Sequence, residues 1–318
     1  MQIVFSTASP LHTHATPKAP VVRQLYQFPD LTGIENIYVR PNGRLLFSTF
    51  ETGNLYGLNP AASVPTPIVV AQMTGSSGLT GIVDIGSNKY AVAAGIHSPF
   101  NFTEMAIYVV WIPPNRNTGV VLNRIPVPAV INGLVALPLR PWVILGADSN
   151  TGKIWRINTR TRAIDVAISN PTFLGAGNPA LPLGVNGIKI YNGYLYFTNS
   201  GLGTFGRVKV DPRGNKIGNF KIITNLPGGG LGTFTKAYDD FDIDHRGNAY
   251  VSLHSASFQK ITPAGVQTLW IGSAGAYTTV FEPTSAALSC DGSTVYLATG
   301  GIAVGTTVHG GQILETRI

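Results

Sequence analysis

Six polar side chains occupy one recurring place in this chain, at or near the start of a short apolar strand: Glu35, Thr80, Asn132, Asn186, Asp239 and Thr284. Carboxylate and amide oxygens in such positions can grip a substrate or hold a hard cation. Each has a structural alternative. Glu35 can bond backbone amides at a strand end, Asn186-Gly187 can be a turn, and Asp239-Asp240 can cap one. His97 and His254 fall at or just after strand ends, where an imidazole serves as hydrogen-bond donor, general acid or part-solvated structural group. Tyr277 adds a phenolic donor, so His97, Tyr277, His254 and Asp239 form the candidate catalytic set. Asp148 and Asn199 follow equivalent strands and read as supporting groups or as hydrogen-bonding links between neighbouring units. No Cys–His or His–His spacing suggests zinc. The single cysteine, Cys290, excludes an intramolecular disulfide, and its stretch Ser289-Cys290-Asp291-Gly292 predicts a buried thiol in a strand. The chain has no Gly-x-Ser-x-Gly elbow and no dinucleotide fingerprint, and Gly228-Gly229-Gly230 reads as a turn.

The segments between strands are apolar and aromatic: Phe100, Phe102 and Met105, then Phe173 and Leu174, then Phe234, then Tyr277 and Phe281. Such a rim suits an apolar small-molecule ligand better than a polar one that needs many hydrogen bonds. The expected substrate-binding set is therefore Glu35, Asn132, Asn186, Phe100, Phe102, Phe234 and Phe281. The competing reading packs these aromatics against the fold.

What must position them is a repeat. Apolar strands begin at residues 45, 90, 144, 195, 249 and 295, with turn dipeptides such as Asn42-Gly43, Asn192-Gly193 and Asp291-Gly292 before several of them. A further strand follows in most units, as in Lys153–Asn158 and Gly206–Val210. Four strands in about fifty residues, six times over, predict an all-β, six-bladed β-propeller. With 37 Gly and 22 Pro in 318 residues, long helices are not expected. The C-terminal stretch Gly311–Ile318 has an inner-strand pattern and leaves the sixth blade one strand short. Val21–Phe28 is a spare strand able to close the ring. The domain reading is a tail over 1–20 and one propeller over 21–318.

Charged residues make up 12% of the chain and the net charge is +7, dispersed rather than clustered apart from Arg156, Arg160 and Arg162. That argues against nucleic-acid binding. No apolar window is long enough for a membrane helix. The first twenty residues lack a basic start and a long apolar run, which favours a cytoplasmic protein without excluding secretion.

Several strings, among them Ile34-Glu35-Asn36-Ile37-Tyr38-Val39-Arg40-Pro41-Asn42-Gly43, Val185-Asn186-Gly187-Ile188-Lys189, Asp239-Asp240-Phe241 and Pro283-Thr284-Ser285, resemble the senescence-marker-protein/gluconolactonase-like propellers. More narrowly they are similar to the fungal natural-product branch, over about Leu25 to Ile318. The resemblance implies Glu35, Asn186 and Asp239 as Ca²⁺ ligands, if the ion is used. It also implies either of two activities. One is calcium-dependent lactone hydrolysis. The other, requiring no cofactor, is hetero-Diels–Alder coupling of a tropolone-derived quinone methide with a terpene alkene in meroterpenoid biosynthesis. A non-catalytic binding propeller is the third possibility, since fold alone does not fix function. The second blade departs from the lactonase pattern, because Gly78-Leu79-Thr80-Gly81-Ile82 carries no Arg or Asn to grip a polar substrate.

Overall fold

Alternating apolar residues and glycine turns build the same four-stranded antiparallel unit six times. The computed structural model describes residues 20–99, 101–254, 256–272 and 279–318. Blade one is β2 (Ile34–Val39), β3 (Leu45–Thr49), β4 (Asn54–Leu58) and β5 (Ile68–Gln72). Blade two is β6 (Gly78–Asp84), β7 (Lys89–Ser98), β8 (Asn101–Trp111) and β9 (Val120–Pro126). Blade three is β10 (Ile131–Leu137), β11 (Arg140–Asp148), β12 (Lys153–Asn158) and β13 (Ile164–Ser169). A one-turn helix, α1 (Pro171–Leu174), leads to blade four, made of β14 (Val185–Tyr191), β15 (Tyr194–Asn199), β16 (Thr204–Val210) and β17 (Lys216–Asn225). Blade five is β18 (Tyr238–Ile243), β19 (Ala249–Leu253), β20 (Ser257–Ile261) and β21 (Gln267–Gly272).

Blade six joins the two ends of the chain. Its order is β22 (Pro283–Leu288), β23 (Thr294–Thr299), β26 (Gln312–Arg317) and finally β1 (Val22–Gln27), with β1 antiparallel to β26. The expected closure by the N-terminal strand is therefore observed, although the C-terminal strand is third in its blade rather than innermost. A hairpin, β24 (Ile302–Val304) and β25 (Thr307–His309), rises between β23 and β26.

Apolar side chains gather between blades rather than around one centre. Six clusters of buried residues fill the six blade-to-blade interfaces, for example Leu46, Leu55 and Leu79 between blades one and two. Leu174 belongs to one of these clusters, so it is a core residue and not part of the rim expected for it, while Met105 is buried in another and also borders the cavity beside Phe102. Phe173 stacks on Phe220 at 4.9 Å and packs its loop onto blade four. Cys290 also departs from expectation. It lies in the turn after β22 and is exposed, because the turn bonds of Ser289 and Gly292 end the strand before it. Among the described residues no helix is long and apolar enough to cross a membrane.

Candidate active site at the channel mouth

Every innermost strand carries a register irregularity at the same place, at Glu35, Thr80-Gly81, Asn132-Gly133, Asn186-Gly187, Asp239-Asp240 and Thr284. A bulge leaves residues unpaired and re-aims their side chains. That is why the six polar residues read from the sequence share one level of the fold. Three bulges carry glycine in second place because neighbouring inner strands approach closely there. A Cβ on Gly133 would lie 2.5 Å from the Asn186 carbonyl oxygen, and one on Gly81 would lie 2.5 Å from that of Asn132.

Side chains from non-adjacent blades meet at the axis. Asn132 Nδ2 of blade three donates to Glu35 Oε1 of blade one at 3.3 Å. Asp239 Oδ2 bonds His254 Nε2 at 2.9 Å, and His254 Nδ1 is 3.0 Å from Glu282 Oε2. Both ring nitrogens therefore face carboxyl groups, an arrangement that favours an imidazolium. Burial opposes that charge, but the bonds to Asp239 and Glu282 outweigh it and push His254 up to about 10. Burial, reinforced by the nearby charge of Asp239, raises Glu35 well above the usual carboxylate range. Burial likewise raises Asp239, with the His254 bond pulling the other way.

The sign for stability follows from these directions. Folded His254 keeps its proton to about 10, whereas an unfolded histidine loses it near about 6.5. Its contribution is complete below the unfolded value and is lost as pH rises through the folded one. In chelator, denaturant unfolding is expected to show stability falling by a few kcal/mol between about pH 6.5 and about pH 10. His254→Gln should flatten that limb. An equally steep decline in the variant would exclude His254 as its source.

Thr80 and Thr284 share the bulges, but their hydroxyls are committed to neighbouring blades, bonding the Ile131 and Ile34 carbonyls at 2.8 Å each. Asp148 accepts from its own turn and from Trp155 Nε1 at 3.0 Å, while Asn199 Nδ2 ties the loop after α1 through the Gly175 carbonyl at 2.8 Å. Asn186 Nδ2 donates to Ser200 Oγ at 3.1 Å. The remaining amide oxygens, Asn132 Oδ1 and Asn186 Oδ1, are buried without a hydrogen-bond partner among the described residues. Orphaned carbonyl oxygens beside two buried carboxyl groups are a donor set that fits a hard divalent cation.

Loops on the same face add an aromatic wall. His97 stacks on Phe50 with ring centres 4.5 Å apart and lies 5.1 Å from Phe102. Gly78 makes room for it, since a Cβ there would be 2.8 Å from His97 Cβ. Burial lowers His97 below the ordinary histidine value, with Glu51 opposing, so the ring is neutral near pH 7. A cavity of about 280 Å³ lies beside Phe102, bordered by Val127, Pro128 and Ala129. Phe281 stacks on His309 of the β24–β25 hairpin at 4.1 Å. Phe234 is half exposed in the loop before blade five. Phe100 and Tyr277 lie outside the described residues. Sequence reasoning missed Phe50, Glu282 and His309. Glu282 was within reach, standing immediately before the inner-strand string Pro283-Thr284-Ser285.

The fold and this polar ring define a six-bladed β-propeller whose polar side chains converge at one mouth of its channel. The chain is 26% identical over 225 residues to a Sarocladium schorii protein named as a hetero-Diels-Alderase, covering 63% of this chain and 56% of that protein. A similarly named protein of a Phoma species is 26% identical over 230 residues, covering 63% of this chain and 64% of its own length. The match thus spans less than two thirds of either relative. No protein-family model matches the chain. Among solved structures, a luciferin-regenerating enzyme superposes with a TM-score of 0.65 at 15% identity, covering 94% of this chain and 95% of that one. The calcium-binding protein regucalcin of Agrobacterium tumefaciens gives 0.64 at 14% identity, with 94% of each chain covered. At such identities the structural likeness speaks for the fold alone.

Proposed function

We propose that this propeller is a hetero-Diels–Alderase that couples a polyketide-derived quinone methide, of the tropolone kind, with a terpene alkene. The observation that carries the reading is the wall of Phe50, His97 and Phe102, which sets a neutral imidazole among aromatic faces at the mouth. The names of the two sequence relatives support it. A cycloaddition loses no atoms and needs no nucleophile. The protein's part is to hold diene and alkene in contact, worth roughly 7–11 kcal/mol in favourable cases. It also aims a donor at the carbonyl oxygen, where charge develops. His97 Nδ1 is 3.7 Å from Glu51 Oε1, too long for a hydrogen bond, so a bound carbonyl can select the tautomer with Nε2–H. His254 has no such freedom, since both its nitrogens are held, and its part is to position Asp239 and Glu282.

The orphaned oxygens of Asn132 and Asn186 favour a second reading, a calcium-dependent lactonase. Glu35, Asn186 and Asp239 would hold the ion, which when bound supplies polarisation of a carbonyl oxygen. Glu35 and Asp239 would then hold or release a proton at the mouth.

One experiment separates the readings. A quinone methide generated in the presence of a cyclic terpene is followed for product ratio, with and without protein and with and without chelator. The first reading expects a product bias of tenfold or more, about 1.4 kcal/mol between competing transition states. The bias should survive chelator, shrink in His97→Phe, and erode in Phe102→Ala before stability does. Identical ratios with and without protein overturn it. Hydrolysis of aldonolactones that stops with chelator, together with calorimetric Ca²⁺ binding lost in Asp239→Ala, would establish the second.

A further inference from the structure

On the face opposite the mouth, the first turn of blade one differs from its counterpart in blade five. The turns joining first and second strands in blades one and five share one backbone geometry. Arg40 N–H bonds the Arg44 carbonyl and Gly43 N–H bonds that of Arg40, as Asp244 N–H bonds Asn248 and Gly247 N–H bonds Asp244. In blade five the leading aspartate stabilises its own turn, with Oδ1 accepting from the N–H groups of Arg246 and Asn248 at 2.9 and 2.8 Å. A guanidinium cannot accept, and in blade one Asn42 Oδ1 takes over for the Arg44 N–H at 3.2 Å. The Arg40 side chain is thus unnecessary to the turn that carries it, and the residue is only 3% exposed.

A buried guanidinium ordinarily has a carboxylate partner. Among the described residues no ion pair within 4.0 Å involves Arg40. Among the described residues its side chain makes one hydrogen bond, Nε to Tyr90 Oη at 3.3 Å, and lies 5.7 Å from the centre of that ring. Asp84, an acid close enough to influence Tyr90, uses its Oδ1 on the Gly86 N–H at 2.6 Å. Arg40 borders a cavity of about 200 Å³ between the turn and the β4–β5 loop. Arg44 and Asn59 add polar groups to its wall, while Leu46, Leu58 and Val70 make the rest apolar.

We infer that this cavity is a binding site for a small apolar carboxylate, whose anionic end pairs with Arg40 and Arg44 and whose hydrocarbon end lies against Leu58 and Val70. A planar fork matched to a carboxylate supplies orientation, and the apolar wall discriminates against inorganic anions. The site lies on the other face from the mouth and stands whichever reading of the mouth is correct.

Hexanoate is the probe, with hexanamide and inorganic phosphate as comparators at constant ionic strength. Thermal melting and calorimetry are run on the full chain. Hexanoate is expected to bind saturably and to raise the melting temperature. Hexanamide, which lacks the charge, should bind about tenfold more weakly or worse. Arg40→Met should abolish the effect. If that variant does not fold, Arg44→Ala, at a half-buried turn position, should still weaken hexanoate binding severalfold. Absence of saturable hexanoate binding into the millimolar range overturns the site. So does equal binding of hexanamide, undiminished binding in Arg44→Ala, or phosphate binding tighter than hexanoate.

Discussion

A chain beginning at Pro29 is expected to be insoluble or rapidly cleaved by protease. Removing residues 1–28 strips β1 from blade six and exposes the whole hydrogen-bonding edge of β26. The loss also extends into the core. Leu25 is buried in the cluster between blades six and one, and Phe28 meets Phe47 and Tyr56 edge-on with ring centres 6.3 and 5.6 Å away. Side-chain ties go as well: Arg23 to Glu315 at 2.7 Å, Gln312 to Gln24 at 2.8 Å, and Thr316 to the Val21 carbonyl at 2.9 Å. Burying these two large apolar side chains is worth roughly 1.5–3 kcal/mol each, a sizeable share of the net stability of many domains. A control chain beginning at Lys18 retains all of these contacts and should melt with the full-length protein. Soluble, protease-resistant protein from the Pro29 chain, with unchanged melting, would show that closure by β1 is dispensable.

The ring closure and the six-fold repeat were legible because both are written in period and length. Glycine turns and apolar strands recur every 45–54 residues, and one missing strand at one end is matched by a spare at the other. The mouth was legible in part for the same reason, since the polar residue recurs at one position of the repeat. What lies deeper was not legible, because each bulge shifts the alternation of its strand by one. Before the bulge of β14, Val185 faces the core; beyond it Ile188 does, and Lys189 then points at the Asp240 carboxylate. Simple alternation from Val185 would have sent Lys189 into the core. Phe50, His97 and Phe102 come together from the loop after β3 and the extended hairpin of blade two. Contacts between distant loops have no periodic signature. Leu174 was placed on the rim from adjacency to a loop, whereas its helix face turns it inward.

Asp240→Ala is expected to be the most destabilising single substitution near the axis, because this carboxylate ties three blades. Asn36 Nδ2 of blade one donates to Oδ2 at 2.7 Å, and Lys189 Nζ of blade four donates to Oδ1 at 2.7 Å. Within blade five the Phe241 N–H donates to Oδ1 at 2.8 Å. The carboxylate is only 3% exposed and Lys189 is 24% exposed, so truncation leaves an ammonium and an amide in the interior without their acceptor. Removing one partner of a buried pair costs about 3–5 kcal/mol, which for a chain of this size is a melting-temperature drop on the order of 5–10 °C. Gly187 reports the same crowding from the other side, since a Cβ there would stand 2.3 Å from Asp240 Oδ1. Gly187→Ala should therefore also lower the melting temperature, by displacing the carboxylate rather than deleting it. The decisive measurement is a double-mutant cycle. Replacing Lys189 by Met in the Asp240→Ala background removes the stranded charge, so the double variant should be more stable than the sum of the single losses by about 1 kcal/mol or more. Additive losses, or an Asp240→Ala protein melting within a degree of the parent, would mean that bulge geometry and apolar interfaces hold the axis without the ion pair. In that case the polar chain from Asn36 through Asp240 to Lys189 would have to be sought in ligand binding rather than in the fold.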